Sequence, residues 1–118
     1  MDVQILFYRK ANQRCPFEDF FQSCSDKEKL EIAANLKVLQ KFGYQARRPL
    51  VGYLEDGIYE LRVKALNKHL RILFFFSEQK IIITHGFVKK TKAVPQIEIK
   101  KANQYREDFF SRGGYDNG

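Results

Sequence analysis

The middle of the chain, residues 57–95, has the alternation and the apolar runs of three consecutive antiparallel strands. We expect these strands at Ile58–Ala65, His69–Ser77 and Lys80–Val88, joined by two-residue loops at Asn67-Lys68 and Glu78-Gln79. The first strand alternates, whereas the other two are almost continuously apolar, as is typical of strands in the middle of a core. This segment is therefore predicted to form the centre of a sheet.

Helices are predicted before this segment. After a strand at Val3–Tyr8, Pro16 opens a short helix that ends near Ser23. A longer helix spans Ser25–Gly43, because apolar residues recur at helical spacing, Ser25 and Glu28 match a capping box, and glycine commonly ends a helix.

A short strand at Leu50–Leu54 and a last helix from Pro95 to near Arg112 complete the elements. Their order indicates an α+β protein, in which an antiparallel sheet packs against two N-terminal helices and a C-terminal helix. The length of 118 residues is enough for one domain with a real core. We expect that domain at residues 1–112 and a flexible tail at residues 113–118.

The expected register gathers positive charge on one sheet face. The loop at Asn67-Lys68 sets Lys64 opposite Arg71 and Arg62 opposite Leu73. The same face is apolar at its other end, and the opposite, core face carries Leu61, Val63, Ile72, Phe74, Phe76, Ile81, Ile83 and Phe87. Like charges opposite one another destabilise a sheet, so the three cations indicate an anion-binding surface. The alternative is an ordinary solvated face, on which Glu60 simply pairs with Arg62.

The net charge of +7 favours a polyanion or an acidic protein as partner. His69 and His85 have no acids at metal-ligand spacing, and no glycine-rich phosphate loop occurs, so neither a metal nor a cofactor is predicted. Cys15 and Cys24 are expected to be free thiols in a cytoplasmic protein. No apolar run has the length of a membrane span, and the N-terminus does not resemble a signal peptide, so no membrane partner is expected.

The cleavage of RNA without a metal ion requires few groups other than cations. The substrate supplies its own nucleophile, the ribose 2′-hydroxyl, which attacks the adjacent phosphate. An arginine can hold that phosphate through two hydrogen bonds. A lysine surrounded by other cations has a lowered pKa and can act in proton transfer.

The run GIYELRVK…HLRILFFF…IIITHGFVKKTKAVPQIEIKKA closely resembles the HigB-like branch of the RelE/ParE toxin superfamily, the Gp49-like phage-derived proteins. The resemblance implies a RelE-like fold similar to that of microbial ribonucleases. It also implies a toxin of a type II toxin–antitoxin system that cuts mRNA, commonly on the ribosome. The expected partner is a HigA-like helix-turn-helix antitoxin, through which alone the toxin would reach operator DNA.

The resemblance also implies site residues. RelE-type toxins place two basic residues nine and seven positions before an arginine on the next strand, and here those positions are Arg62, Lys64 and Arg71. A further cation after the last strand matches Lys90 or Lys89, and we expect Lys90 to be the catalytic one. The expected RNA-binding residues are Lys68, Lys89, Lys92, Arg47 and Arg48.

One departure from the RelE pattern leaves the proton transfer open. RelE has a tyrosine some six residues beyond that last cation, and here the position is about Gln96. Lys64 is the best candidate for proton transfer, with Arg62 and Arg71 on the scissile phosphate. His85 of the HGF motif is a second candidate, although the expected register turns it toward the core.

The sequence thus predicts a metal-independent mRNA endoribonuclease toxin. The rival interpretation is a ParE-like or degenerate member that binds a protein target, or only its antitoxin, and has no ribonuclease activity. The antitoxin could plug the cations, or it could cover the first helix if Phe17, Phe20 and Phe21 form an exposed patch instead of packing in the core.

Overall fold

The computed structural model describes residues 2–114 and shows a five-stranded sheet with helices on both faces. In chain order the elements are β1 (Gln4–Phe7), α1 (Pro16–Ser23), α2 (Asp26–Phe42), a 3₁₀ turn (Gly43–Gln45), β2 (Val51–Glu55), β3 (Ile58–Ala65), β4 (Lys68–Ser77), β5 (Lys80–Lys89) and α3 (Gln96–Ser111). The strands lie in the order β1-β5-β4-β3-β2, and only the β1–β5 pair is parallel.

This architecture confirms the α+β class, in the RelE-like arrangement that the resemblance implied. The single-domain boundaries stay a prediction. The predicted tail falls on residues 113–118, and residues 115–118 lie outside the described part of the chain. No helix within residues 2–114 is both long and apolar enough to cross a membrane.

The ends of α2 follow the sequence signals. The Ser25 hydroxyl accepts a hydrogen bond from the Glu28 N–H at 3.2 Å, and the Glu28 carboxylate accepts one from the Ser25 N–H at 2.8 Å, which completes the capping box. Gly43 ends the helix with φ +53°. A Cβ there would collide with the Val3 side chain, so Gly43 also allows the chain before β1 to pack against the end of α2.

The strands of each of the three hairpins are joined by two residues with positive φ: Asp56-Gly57, Leu66-Asn67 and Glu78-Gln79. Positive φ at both loop residues is the type I′ geometry that matches the twist of paired strands. The predicted loop at Glu78-Gln79 is confirmed, and the predicted loop at Asn67-Lys68 is wrong by one residue. The pairing of β3 with β4 is therefore shifted by two residues, and Arg62, not Lys64, lies opposite Arg71.

A β-bulge changes the register between β4 and β5. Phe74 pairs with Ile83, but Leu73 pairs with His85, so Thr84 is the extra residue. Its buried hydroxyl donates to the Leu73 carbonyl at 3.1 Å. Because one inserted residue reverses the side on which later side chains lie, His85 and Phe87 face α3. The prediction that both belong to the opposite, core face was wrong for this reason.

Two apolar cores lie on the two faces of the sheet. The first packs α1 and α2 against the sheet, and its members include Phe17, Ile32, Leu39, Leu61, Val63, Ile72, Phe74, Ile81 and Ile83. Phe17 is buried in it, and Phe20 and Phe21 pack against it while partly exposed, so all three serve the core and the exposed patch considered above is not formed.

The second core lies under α3. It contains Tyr8, Ile58, Leu73, Phe75, Ile82, Ala102 and Phe109. The C-terminal part of α3 is fixed by the Tyr8 hydroxyl, which donates to Asp108 Oδ2 at 2.5 Å, while Arg112 donates to the same oxygen at 2.6 Å. Burial, followed by the hydrogen bond to Asp108, raises the pKa of Tyr8 to about 12. This end of the sheet face is closed by the helix, whereas Lys64 and His69 at the other end are exposed.

Candidate active site

The open end of the α3 face consists of three successive rows of paired residues across β3, β4 and β5. The rows are Glu60, Leu73 and His85; then Arg62, Arg71 and Phe87; then Lys64, His69 and Lys89. The structure thus brings Arg62, Lys64 and Arg71 onto one face, as the sequence predicted. We call Arg62, Lys64, His69, Arg71 and Lys89 the basic face.

Glu60 explains how two arginines can lie directly opposite one another. Its buried carboxylate has Oε1 at 2.8 Å from Arg71 Nε and Oε2 at 3.1 Å from an Arg62 terminal nitrogen. Arg62 Nε also donates to Oε2, at 3.2 Å. The sequence suggested a pair with Arg62 alone, whereas the carboxylate bridges both arginines and offsets the repulsion between them.

The contact between Glu60 and Arg71 is ionic without being an aligned hydrogen bond. Neither Glu60 Oε1 nor Arg71 Nε has a hydrogen-bond partner within the described residues, although the two atoms are in contact. The Arg71 guanidinium does donate to the Leu70 carbonyl at 3.1 Å. Desolvating a buried pair largely offsets its attraction, so this arrangement is a poor means of stabilising a fold.

Gly52 on β2 makes room for the carboxylate. It lies opposite Glu60, and a Cβ at this position would come within 2.7 Å of Glu60 Oε2. Any larger residue would push the carboxylate away from the two arginines. Gly52 is thus one of the residues that place Arg62 and Arg71.

Positive charge exceeds negative charge at the basic face. One carboxylate faces two guanidinium groups, and Lys64 and Lys89 occupy the next row. Arg62 retains 30% side-chain exposure against 8% for Arg71, so Arg62 is the arginine that a ligand can reach. An exposed guanidinium with buried positive charge behind it can bind a phosphate group.

The segment after β5 supplies two more cations. Lys90 and Lys92 are exposed. Lys89 Nζ donates to the Thr91 carbonyl at 2.6 Å, and the Thr91 hydroxyl donates to the Ala93 carbonyl at 2.6 Å. These bonds order the segment that carries Lys90 and Lys92 between the basic face and α3.

The other predicted RNA-binding residues lie elsewhere. Arg47 and Arg48 are exposed in the loop before β2, where Arg47 donates to the carbonyls of Tyr44 and Ala46 at 2.8 and 3.0 Å. Lys68 pairs with Glu28 of α2 at 3.2 Å and lies opposite Ala65, a residue of the first core. The structure therefore does not bring Lys68 to the basic face.

His85 is only 4% exposed. Its Nε2 lies 3.0 Å from Glu98 Oε1 on α3, and its Nδ1 lies 3.1 Å from the Thr84 hydroxyl. Burial lowers the pKa of His85, and Glu98 partly opposes that shift. Both ring nitrogens are engaged, so this geometry suits fixing the start of α3 better than transferring a proton to a substrate.

Gln96 lies at about the position where the resemblance to RelE would place a tyrosine, and its side-chain amide donates to Glu55 at 3.2 Å. Tyr105, farther along α3, stacks on Tyr8 with ring centroids 4.8 Å apart, and burial raises its pKa. Within residues 2–114, no group of three or more His, Cys, Asp or Glu residues is arranged to hold a metal ion.

Sequence reasoning missed one residue of the basic face, His69. It is exposed and lies between Lys64 and Lys89 in the same row. A loop placed at Leu66-Asn67 would have found it, because that register pairs His69 with Lys64.

The fold and the site together define a small α+β protein whose sheet presents cations beside the start of its C-terminal helix. The chain belongs to the family described as Phage derived protein Gp49-like (DUF891), whose model matches residues 19–107. This match confirms the family that was expected from the resemblance. Membership of the wider RelE superfamily is consistent with this family. The family is commonly related to toxin–antitoxin systems. No curated protein matches the chain.

Proposed function

We propose that this protein is the toxin of a type II toxin–antitoxin system and a metal-independent endoribonuclease that cleaves mRNA on the ribosome. The observation that carries the proposal is the bridge from Glu60 to Arg62 and Arg71 beside Lys64. It holds two guanidinium groups in a fixed place at a cost to stability, as expected where the charges serve an anionic ligand.

The proposed reaction needs no group that the chain lacks. The ribose 2′-oxygen forms a bond to phosphorus, and the bond to the 5′-oxygen of the next nucleotide breaks. The 2′-hydroxyl proton passes to a base, and the leaving oxygen takes up a proton from an acid. The products are a 2′,3′-cyclic phosphate and a 5′-hydroxyl. Arg62 binds the phosphate, while the less exposed Arg71 adds a fixed positive charge behind it, which stabilises the developing negative charge.

Lys64 is the proposed proton-transfer residue. It lies on the same strand face as Arg62, one row away, and it is exposed to a substrate. His69, directly opposite Lys64, is a second group able to move a proton in this row. The buried His85 has a positioning role in this proposal, through Glu98 and the start of α3.

Lys89, Lys90 and Lys92 are proposed to bind the RNA backbone on either side of the scissile phosphate, with Lys90 also contributing to catalysis. A helix-turn-helix antitoxin of the HigA type is the proposed partner, and operator DNA would be reached only through it. Because a basic surface attracts acidic partners, the complex should form rapidly at low salt. This activity would take place in the cytoplasm.

Induced expression in a bacterial host tests the proposal. The wild-type protein should stop growth and generate new 5′ ends in mRNA, and Lys64→Ala should weaken both effects while folding normally. Lys37→Ala is the matched control, since Lys37 is an exposed lysine on α2. Growth arrest with unchanged mRNA ends, retained by Lys64→Ala, would instead support a ParE-like toxin directed at a protein.

A further inference from the structure

A groove on the other side of β2 is lined by aromatic rings and two arginines. Its volume is about 560 Å³, and its lining includes Tyr44, Tyr53, Tyr59, Phe76, Arg47 and Arg48. We call it the aromatic groove. The reaction proposed above makes no use of its four rings.

The rings are arranged as a platform with exposed ends. Tyr44 stacks on Phe76 with ring centroids 4.2 Å apart, and Tyr53 meets Tyr59 edge to face at 5.1 Å. Tyr44 is 50% exposed and Tyr53 is 55% exposed. The Tyr53 hydroxyl accepts a hydrogen bond from the Gly57 N–H. This bond gives the hydroxyl a structural role, but it does not account for the exposure of the ring. Half-exposed rings beside a cavity are suited to stack on a planar ligand.

The charge of the aromatic groove selects the ligand. Arg47 and Arg48 are exposed at its rim, and none of the described residues that line it is acidic. The two hydrogen bonds from Arg47 to the carbonyls of Tyr44 and Ala46 fix this loop next to the rings. Aromatic faces interleaved with cations are the usual platform for the bases and phosphates of a single strand.

The aromatic groove and the basic face are linked through β2 and the loop before it. Gly52 lines the groove and also pairs with Glu60, whose carboxylate holds Arg62 and Arg71. The Arg62 N–H donates to the Leu50 carbonyl at 2.8 Å, and the Val51 N–H donates to the Arg47 carbonyl at 3.1 Å. The loop with Arg47 and Arg48 is thus bonded directly to the strand that carries Arg62, around the edge of β2.

We propose that the aromatic groove binds one or two unpaired bases of single-stranded RNA next to the phosphate held at the basic face. Bases stack on Tyr44 and Tyr53, and the intervening phosphates contact Arg47 and Arg48. The inference rests on the proposed ribonuclease function and adds a subsite to it. A protein partner would need no planar ligand at Tyr44, so RNA is the occupant that the rings favour.

The test measures the affinity of the full chain for a short single-stranded oligoribonucleotide made uncleavable by 2′-O-methylation. Tyr44→Leu should weaken binding roughly 5- to 150-fold, the range expected for the loss of a stacked base, while Tyr44→Phe should bind like the wild type. Phe110→Leu is the matched control, because Phe110 is a comparably exposed ring on α3. Tyr44→Leu should leave the salt dependence unchanged, whereas Arg48→Ala should reduce its slope by about 0.7.

An oligonucleotide with abasic positions separates stacking from other effects. Stacking predicts that Tyr44→Leu and the wild type bind the abasic strand equally, since neither has a base to stack. Equal affinity of the two proteins for the intact strand would overturn the inference, whether or not the wild type cleaves mRNA. Loss of antitoxin binding by Tyr44→Leu with RNA affinity unchanged would also overturn it. Failure of the ribonuclease function would appear separately, as absence of mRNA cleavage by a wild-type protein that still binds the methylated oligonucleotide through Tyr44.

Discussion

The two ends of the α3 sheet face each contain a carboxylate with two polar partners, but they differ in cover and in charge. At the closed end, Asp108 accepts hydrogen bonds from Tyr8 and Arg112, and one acid is balanced by one base. At the open end, Glu60 faces both Arg62 and Arg71, so one positive charge is left over even before Lys64 and Lys89 are counted.

This difference indicates that the closed end of the sheet face serves stability and that the open end serves the proposed function. The closed end satisfies its polar groups with well-aligned bonds and lies against apolar residues under α3. The open end keeps a buried carboxylate oxygen and a buried guanidinium nitrogen without aligned hydrogen bonds. Changes at the closed end should therefore act on folding, and changes at the open end should act mainly on RNA cleavage.

The largest effect is expected from Arg71→Ala. If Arg71 stabilises the transition state as proposed, its loss should slow cleavage by about 10²–10³, or about 2.7–4 kcal/mol. It should also destabilise the fold, because the buried Glu60 keeps only Arg62 as a partner. Single-turnover cleavage rates and urea unfolding curves measure the two effects.

The double variant Glu60→Gln/Arg71→Met separates these effects. It removes both charges of the buried pair, so stability should return toward that of the wild type while cleavage stays slow. If cleavage recovered together with stability, the role of Arg71 would be structural only.

The α3 sheet face also shows which side-chain positions could be predicted from the sequence and which could not. The cation trio was predicted correctly although the β3–β4 register was not, because a shift of two residues leaves every side chain on its original face. The bulge at Thr84 is a shift of one residue, which reverses the face, so His85 and Phe87 were misplaced.

Local signals were reliable where one residue type determines the geometry. Pro16, the Ser25–Glu28 capping box and Gly43 gave the ends of α1 and α2 almost to the residue. The turn at Leu66-Asn67 has no such signal, because leucine rarely adopts positive φ and Leu66 has φ +51°. The bridging role of Glu60 depends on that register and could not be read from the sequence.

The second-largest effect is expected on the pH dependence of the free energy of unfolding, to which His85 contributes. The pKa of His85 is lowered in the folded protein, chiefly by burial, so the unfolded chain binds the proton more readily. The contribution of His85 to stability is therefore complete above the unfolded pKa of about 6.5 and is lost as pH falls through the folded pKa. A difference of one in pKa between the folded and the unfolded protein corresponds to about 1.4 kcal/mol. Urea unfolding at pH 7.5 and pH 5.5 measures the loss.

His85→Gln serves as the comparison, because the glutamine amide can donate to Glu98 but does not titrate. It should lose less stability than the wild type between the two pH values. An identical loss in both proteins would show that His85 is not responsible for the pH dependence.

A smaller effect is expected at the closed end from Tyr8→Phe, which removes the hydroxyl that donates to Asp108. The free energy of unfolding should fall by about 1 kcal/mol, a typical net value for one hydrogen bond. The cleavage rate of the folded fraction should not change. A tenfold loss of cleavage at unchanged stability would contradict the division between the two ends.

The smallest effect is expected from the exposed cations after β5. Lys90→Ala and Lys92→Ala should each lower the slope of log affinity against log salt for single-stranded RNA by about 0.7, because each would remove one of the proposed phosphate contacts. With this lower slope, the loss of RNA affinity between 50 and 200 mM salt should be about threefold smaller for each variant than for the wild type. Lys37→Ala on α2 should leave the slope unchanged, and a slope equally insensitive to all three variants would place the RNA elsewhere.

The most direct measurement of the central claim is the chemistry of the ends that the protein leaves on mRNA. An mRNA cleaved in a translation extract should carry a 2′,3′-cyclic phosphate on the upstream fragment and a 5′-hydroxyl on the downstream one. A single 2′-deoxy nucleotide at the scissile position should block cleavage there, and Arg62→Ala should slow cleavage of the unmodified mRNA. Fragments ending in a 3′-hydroxyl and a 5′-phosphate, or cleavage that continues at the deoxy position, would contradict a reaction that depends on the substrate's own 2′-hydroxyl and the cations of the basic face.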